Sequence, residues 1–532
     1  MFVAETIPYH QTHAFSRIMM DYLAGAETLR PFYESPASLQ AFKETIGKKQ
    51  KQPVNRKVLV DVLQKQYEQI ATTETVRNNI ASLISENTFT VCTAHQPNLF
   101  TGPLYFIYKI LHTIRLADRL HQELPQYHFV PVYYMGSEDA DFAELNHTYV
   151  GGKKIEWKKE QKGAVGRMLV DGTLLRLVDE LEGQLAQEVF GREVIALLRK
   201  CYAIGRTIQS ATFELVNELY GAYGLVVLIP DHPDLKALMH EVFLKDLLHH
   251  SSSSIVQQTS EKLGEHYSVQ AHPREINLFY LKENIRERII RDHEGFLVSG
   301  MNMRFSEKEM LKELELHPDR FSPNVILRGL YQESILPNLA FVGGGGELAY
   351  WLQLKDLFHH YKVVYPILVL RNSFLIVENK WKEKVEKMGL RIPHFFESEN
   401  ELMKMIVGLH SQNKVSLNGN FERAVQLFEQ IRSQASGVDP SLSQHVASIQ
   451  ARSLKSLQEL EKKMLRAEKR KFVDQQRQIS NIKSVLFPNN GLQERVENFS
   501  GFYAKWGEAF IDELYHHSLS LEQEFTILYQ RD

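Results

Sequence analysis

The sequence predicts an α/β protein with a doubly wound parallel sheet, and two observations support this prediction. Short apolar runs typical of buried strands alternate with amphipathic helical patterns between residue 88 and about residue 379, as in parallel sheets with crossover helices. Between residues 88 and 120 the spacing of apolar residues changes from about 2 to about 3.6 residues, which indicates a strand followed by a helix. The clearest central strands are expected at 89–93, 129–135, 224–230 and 363–370.

Composition and charge are those of an ordinary globular protein. The chain has 532 residues, of which 43% are hydrophobic and 24% charged, and its formal net charge is -3. This length predicts more than one structural unit, and so small a charge gives no general attraction to nucleic acid or membranes. With only Cys92 and Cys201, we expect neither a disulfide framework nor a cysteine-based zinc site. Without a signal-peptide pattern or a membrane-length apolar run, a cytoplasmic protein is expected.

Changes in composition divide the chain into four expected domains. A helical segment at 1–87, with a basic, proline-containing link at 48–57 between two helices, packs on the core. The core itself extends over 88–380. A helical coiled-coil domain follows at 381–500, and a C-terminal segment at 501–532 returns to the core.

Two stretches inside the core do not follow the alternation of strand and helix. Strand-like runs at 154–157 and 166–170 predict an antiparallel insertion near 151–215. Further runs between 277 and 300 predict a second insertion near 240–325.

A partly polar heptad seam predicts the coiled coil. Positions 446, 450, 453, 457, 460, 464 and 467 follow alternating steps of four and three residues. The same helix has nine basic and four acidic side chains between 452 and 477. This basic surface is either solvated or in contact with phosphate, and both interpretations stay open.

The loop after the first strand holds the first candidate site. His95, Gln96 and Asn98 supply side-chain donors and acceptors, and Gly102 is placed with the following proline to open the next helix. Exposed backbone N–H groups at a helix start can receive an anion. The loop, with Thr101, is therefore either a substrate or nucleotide cradle or a structural strand-to-helix turn.

An acidic turn follows the second strand. Glu138, Asp139 and Asp141 lie within it. Carboxylates at this edge of a sheet can hold a cation, orient an amine or act as a general base. The alternative is that they cap a helix beginning near Phe142.

A run of four glycines at 343–346 is the third candidate. Glycine permits unusual backbone angles and close approach of a ligand, and Glu347 opens a helix that carries Tyr350 and Trp351. Close packing of a helix on the sheet would require glycine equally. Phosphate-loop, dinucleotide, H-E-x-x-H and C-x-x-C signatures are absent from the sequence, and we expect no metal site.

Four segments in order along the chain resemble the bacillithiol biosynthesis cysteine-adding enzyme family. They are HQPNLFTGPLYFIYK at 95–109, GSEDADFAELNH at 136–147, LPNLAFVGGGGELAYWLQL at 336–354, and LEKKMLRAEKRK at 460–471 followed by LFPNNGLQERVENF at 486–499. Together they extend the resemblance over nearly the whole chain.

The resemblance implies a Rossmann-like core related to nucleotidyltransferases and class I aminoacyl-tRNA synthetases, with connecting-peptide insertions and a coiled-coil arm that forms a homodimer. It implies a ligase that joins the carboxyl of cysteine, in an activated form, to the amino group of glucosaminyl-malate. The cosubstrate stays open: ATP, another nucleotide and a divalent metal are the candidates.

The resemblance also assigns residues. The implied catalytic residues are His95, Glu138 and Asp141. The implied substrate- or nucleotide-binding residues are Gln96, Asn98, Thr101, Gly102, Lys109, Asp139, Gly343, Gly344, Gly345, Glu347, Tyr350 and Trp351. Three positions depart from the family pattern, which usually has Gln at 95, Gly at 137 and His at 140. If that histidine is the general base, His95 is the nearest substitute.

Two alternative functions remain at this point. One is a nucleotidyl or aminoacyl transferase that uses another amine acceptor. The other is a nucleotide- or RNA-binding dimeric module whose basic helix contacts phosphate, although the net charge disfavours nucleic acid as a partner.

Overall fold

A five-stranded parallel sheet organises the fold in a computed structural model that describes residues 1–160, 163–411 and 416–531. The strands are β1 (Phe2–Pro8), β2 (Thr88–His95), β3 (His128–Met135), β4 (His147–Val150), β5 (Lys153–Glu156), β6 (Val226–Leu228), β7 (Leu278–Lys282), β8 (Ile285–Asp292), β9 (Gly295–Val298), β10 (Met303–Phe305), β11 (Phe321–Pro323), β12 (Asn338–Gly343), β13 (Ile367–Leu370), β14 (Phe374–Val377) and β15 (Glu524–Gln530).

The helices connect and cover these strands. They are α1 (Arg17–Leu23), α2 (Leu39–Lys49), α3 (Arg56–Tyr67), α4 (Glu74–Ser82), α5 (Tyr105–Glu123), α6 (Phe142–Leu145), α7 (Gly172–Leu185), α8 (Gly191–Cys201), α9 (Ile208–Tyr220), α10 (Pro233–Ala237), α11 (His240–His249), α12 (Ser251–Gly264), α13 (Glu307–Leu316), α14 (Val325–Ile335), α15 (Gly345–Trp351), α16 (Lys355–His360), α17 (Asn379–Lys387), α18 (Glu399–His410), α19 (Asn418–Val438), α20 (Leu442–Lys469), α21 (Val473–Leu486), α22 (Phe499–Trp506) and α23 (Glu508–His517).

The chain forms two units. The first comprises residues 1–10, 14–375 and 491–528, and the second comprises residues 11–13, 376–490 and 529–532. Every helix of the described residues is too short or too polar to traverse a lipid bilayer.

The central sheet of the first unit has the strand order β13-β12-β2-β3-β6, and all four pairings are parallel. Counted in chain order, this is the doubly wound order 3-2-1-4-5, so the predicted fold class is confirmed. The chain changes direction across the sheet between β2 and β12. In open α/β sheets, ligands bind beyond the carboxyl ends of the strands at this switch point.

The sheet is stable because its inner strands are apolar and helices cover them. All but the last residue of β2 is buried, and Phe89 and Phe129 pack in one cluster with Phe42 of α2 and Leu120 of α5. Each such side chain contributes about 2 kcal/mol when fully buried. The burial of these strands on both faces therefore fixes which strand ends, and which loops, meet at the carboxyl edge.

Three expectations about local structure were wrong. The run 338–343 is the central strand β12, which the sequence prediction did not include. Residues 166–170 do not form a strand: Val165–Arg167 is a 3-10 turn, and beyond it Leu169 forms an isolated bridge with Thr207. Helix α5 begins at Tyr105, two residues later than predicted, because Gly102 has a φ of 68° and a ψ of -149° and cannot be helical.

Other expectations were confirmed. The stretch between 277 and 300 contributes β7, β8 and β9 to an antiparallel sheet of order β10-β9-β8-β7-β11. The strand expected at 154–157 is β5, and its antiparallel partner is β4 rather than the predicted run 166–170. The basic link near residue 50 joins α2 to α3, although the chain begins with strand β1 rather than a helix.

The second unit contains a long helical hairpin. Helices α19 and α20 pack together across a turn at 439–441, and Arg432 donates to the Gln450 side chain at 2.6 Å. Helix α20 begins at Leu442, later than the cap predicted at Asp439. The hairpin leaves apolar side chains exposed, including Leu427 (54%) and Leu460 (48%).

A buried ion pair ties α2 to α14 in the first unit. The side chains of Lys49 and Glu333 are both fully buried, with Nζ 3.9 Å from Oε2. Nζ also donates to the backbone oxygen of Glu333 at 3.0 Å, while Oε1 accepts from Asn338 at the start of β12 at 2.7 Å. Burial lowers the pKa of Lys49 to about 8 and raises the pKa of Glu333.

We expect Lys49→Ala to lower the free energy of unfolding by about 3 to 5 kcal/mol, because it leaves a buried carboxyl group without its partner. Lys48→Ala is the matched control on the same helix: its side chain is 54% exposed and pairs with Glu34 at 3.0 Å, so its loss should cost about 1 kcal/mol or less. Urea unfolding curves measure both. Equal effects would contradict a structural role for the buried pair.

Candidate active site

The end of β2 joins the end of β3 through His95. Its backbone oxygen accepts from the N–H of Gly136 at 2.8 Å and from the Tyr133 hydroxyl at 3.0 Å. The imidazole packs against the rings of Tyr105 and Phe106, with centroids 5.3 and 5.4 Å away. Its Nε2 is buried and makes no hydrogen bond within the described part of the chain.

The environment of His95 keeps its ring neutral. Burial lowers the pKa of His95 well below 6.5, and the nearby positive charges of Lys109, Arg328 and Arg371 act in the same direction. A neutral imidazole with an unpartnered nitrogen can accept a hydrogen bond, although these surroundings disfavour its protonated form.

The loop after His95 has an unusual backbone. Phe100, Thr101 and Gly102 follow one another with φ of 50°, 71° and 68°, and a non-glycine residue in this left-handed region costs about 1 kcal/mol or more. A Cβ at Gly102 would lie 2.8 Å from the Cβ of Asn98. The buried Asn98 Oδ1 and Thr101 Oγ1 have no partner among the described residues.

Lys109 joins the loop to the glycine run across the switch point. Its side chain is 1% exposed, and Nζ donates to the backbone oxygen of Ala94 at 2.5 Å and to Glu347 Oε2 at 2.7 Å. The same Glu347 oxygen accepts from the N–H of Gly344 at 2.8 Å. Burial lowers the pKa of Lys109, and Glu347 opposes this shift. Lys109 and Glu347 thus form a partly buried ion pair.

The glycine run serves packing at two of its positions. A Cβ at Gly343 would lie 2.6 Å from the Phe341 ring, and one at Gly345 would lie 3.0 Å from Met19. Trp351 is 1% exposed and stacks on Phe341 at 4.5 Å, so it is a core residue.

Glu138 belongs to a buried charge cluster. It pairs with Lys236, which also lies 3.2 Å from Asp231, and Arg167 binds Asp231 through two hydrogen bonds of 2.7 and 2.8 Å. Burial raises the pKa of Glu138, although Lys236 opposes the shift.

The other two acidic residues of this turn have different surroundings. Asp139 accepts from the Gln96 amide at 3.2 Å and from the N–H of Asp141 at 3.0 Å. Burial alone would raise its pKa, but the Asp141 N–H, Arg286 and Arg328 together lower it. Asp141 is exposed and caps α6, accepting from Glu144 N at 3.2 Å.

A cavity of about 480 Å³ lies at this edge of the sheet. Gln96, Glu138, Asp139 and Ser137 line it, and the Ser137 Oγ is buried without a partner in the described chain. Three arginines line the same cavity: Arg274, Arg286 and Arg328. The site therefore combines three positive side chains with two carboxyl groups, of which Glu138 is paired with Lys236 and Asp139 has a lowered pKa.

The arginines were missed by the sequence analysis. Arg286 lies on β8 of the antiparallel insertion, with its guanidinium 4.1 Å from the centroid of the Phe279 ring, and Arg328 on α14 donates to the Tyr350 hydroxyl at 3.1 Å. The one sequence feature that could have indicated these arginines was the arginine-rich run 286–291, and an exposed surface strand would have the same composition. Within the described residues, no three His, Cys, Asp or Glu side chains are grouped to hold a metal ion.

Comparison with known families identifies the chain. The model described as "Bacillithiol biosynthesis BshC, N-terminal Rossmann-like domain" matches residues 2–372, and "Bacillithiol biosynthesis BshC, C-terminal coiled-coil domain" matches residues 374–530. The chain belongs to the BshC family. The family resemblance, the Rossmann-like core and the coiled-coil arm are confirmed.

Relatives cover almost the full length. A protein of Flavobacterium johnsoniae is 39% identical over 526 residues, covering 98% of this chain and 99% of its own. One of Christiangramia forsetii is 39% identical over 529 residues, covering 98% of both chains, and one of Salinibacter ruber is 30% identical over 520 residues, covering 94% of both. Each is named "Putative cysteine ligase BshC", so the chain is a member of a ligase family.

Acidification should test the environment of His95. The folded-state pKa of the ring lies below its unfolded-state pKa, so on acidification the unfolded state takes up a proton first. The free energy of unfolding therefore decreases as the pH is lowered. Lowering the pH from 7 to 5 should decrease the free energy of unfolding by up to about 2 kcal/mol through this ring. His95→Gln should remove this part of the loss, as measured by urea unfolding at both pH values. An identical loss in the variant would contradict a neutral, buried ring.

Proposed function

We propose that this chain is a cysteine ligase that joins an activated cysteine carboxyl group to the amino group of glucosaminyl-malate, giving bacillithiol. Membership of the BshC family and the names of its relatives support the reaction class. The observation that carries the proposal is the arginine-lined cavity beside the β2 and β3 loops. It lies at the carboxyl edge of the sheet, where this fold class binds ligands.

The cavity suits an acceptor with carboxylates. The malate part of glucosaminyl-malate has two, and arginine recognises a carboxylate through paired, charge-assisted hydrogen bonds. Arg274, Arg286 and Arg328 supply three guanidinium groups, and Asp139, whose pKa is lowered, lines the cavity with them. We assign the binding of the malate carboxylates to the arginines, and the binding of the amino group to Asp139.

Amide formation also requires loss of a proton from the amine. Asp139, with its lowered pKa, is a weak base and is assigned the orientation of the ammonium group. The neutral His95 ring is also a weak base, because burial and nearby positive charges lower its pKa. Its unpartnered Nε2 is assigned a hydrogen bond from the reacting amine, since alanine occupies position 140, and the proton leaves to solvent. Glu138 is assigned a supporting role, since Lys236 already neutralises it.

The cysteine carboxylate requires activation by a cosubstrate. ATP and another nucleotide are the candidates: either would convert the carboxylate into an acyl-adenylate or acyl-phosphate, from which the nucleoside monophosphate or phosphate leaves when the amine attacks. A divalent metal is a candidate cofactor, and the loop at 98–102 with Gly343, Gly344 and Gly345 is the proposed cradle at the switch point. The hairpin of the second unit, with its exposed apolar side chains, supports a homodimer through the coiled coil.

Purified protein incubated with cysteine, glucosaminyl-malate and each nucleotide, with and without Mg²⁺, tests the reaction. Mass spectrometry should detect the condensation product. Glucosamine, which lacks the malate carboxylates, should be a poor acceptor. Absence of product under every condition would refute the proposal, and efficient turnover of a different amine would favour an aminoacyl transferase.

The acidic turn offers a matched pair of variants. Asp139→Asn removes the charge proposed to orient the amine and should lower kcat/KM about a hundredfold. Asp141→Asn keeps the cap of α6, because Asn caps helices as well as Asp, and should change turnover only about twofold. Initial rates with varied glucosaminyl-malate measure both. A larger loss in Asp141→Asn would reverse the assignment.

A further inference from the structure

A segment far along the chain braces the left-handed loop of the candidate site. Residues 493–498, here called the strap, belong to the first unit. Asn498 is fully buried, and its Nδ2 donates to the backbone oxygen of Phe100 at 2.8 Å and to that of Gly102 at 2.5 Å. One amide group thus satisfies the carbonyls on both sides of Thr101.

The strap is itself anchored on both sides. The backbone oxygen of Glu497 accepts from the N–H of Leu104 at 2.8 Å, and the N–H of Asn498 donates to the backbone oxygen of Tyr149 at 2.7 Å. The Glu497 carboxylate accepts from Gly151 and Gly152 at 2.8 and 2.9 Å. The strap therefore connects the loop to the turn between β4 and β5.

The loop needs this support. Its own backbone hydrogen bonds are Thr101 N to Asn98 O at 3.1 Å and Gly102 N to Leu99 O at 2.9 Å, and neither uses the carbonyls of residues 100 or 102. A buried carbonyl without a partner is costly, so without Asn498 the left-handed conformation would relax. The same loop carries the buried, unpartnered polar atoms of Asn98 and Thr101.

We infer that Asn498 is a positioning residue of the candidate site, which holds the loop at 98–102, part of the proposed cradle, in its left-handed conformation. The inference rests on the proposed ligase function for its catalytic consequence. Its structural part, the bracing of the loop, is testable independently of turnover.

Asn498 also caps α22, and its two roles use different atoms. Its Oδ1 accepts from the N–H of Ser500 at 2.9 Å, whereas Nδ2 holds the loop. Serine at 498 retains a capping oxygen and lacks the two donor hydrogens, whereas alanine lacks both. The variants Asn498→Ser and Asn498→Ala therefore separate loop bracing from helix capping.

The experiment compares both variants with Asn55→Ser, in which serine replaces another capping asparagine that is exposed at the start of α3. Steady-state kinetics, thermal unfolding and hydrogen exchange of a peptide spanning 96–104 are measured on the full chain. Asn498→Ser and Asn498→Ala should both lose about a hundredfold in kcat, with KM changed less than about threefold. Only Asn498→Ala should also lose the cap and show the lower Tm. Exchange of the loop peptide should accelerate about tenfold or more in both.

Wild-type kinetics and exchange in Asn498→Ser, or a kcat that follows Tm across the two variants, would overturn the inference. So would equal loop exchange in Asn498→Ser and Asn55→Ser. If the wild type itself forms no product, the proposed function fails, and the exchange data alone decide the inference: acceleration in Asn498→Ser supports it and no acceleration overturns it.

Discussion

The buried ammonium group of Lys109 is the interaction on which the carboxyl edge of the sheet depends. A buried charge is tolerated only when its hydrogen-bonding capacity is met, and here the acceptors come from the end of β2 and from Glu347 at the start of α15. Because Glu347 in turn holds the N–H of Gly344, one side chain on α5 links the end of β2 to the glycine run that follows β12.

The acidic turn after β3 shows how burial separates three adjacent carboxylates. Glu138 forms an ion pair with Lys236. The charges of Arg286 and Arg328 act on Asp139, and Asp141 caps α6. Glu138 and Asp139 both line the cavity, and Asp139 is the one whose pKa is lowered. The arginines around it give the cavity positive charge, and two of them come from the insertion and from α14 rather than from the parallel sheet.

Local patterns were enough to predict the fold class, the family and four of the five central strands, because periodicity and short motifs are encoded within a few residues. Strand β12 was missed because its last residue begins the glycine run, which obscured the short apolar run before it. The left-handed Phe100 could not be foreseen, since nothing in a phenylalanine indicates a positive φ. Arg286, Arg328 and Asn498 reach the site only through tertiary structure, so no local signal distinguishes them from surface or core residues. The roles of His95, Glu138 and Asp141 remain proposals.

The strap has a consequence for the order in which the protein is assembled on the ribosome. Gly102 and Asn498 are separated by 396 positions, and at about 5 to 20 residues per second the second is synthesised roughly 20 to 80 s after the first. During that interval the parallel strands can already pair, while the carbonyls of residues 100 and 102 lack their donor. The nascent chain can thus form its parallel sheet before the loop at 98–102 is braced, and a residue made in the last tenth of translation completes a loop made in the first fifth.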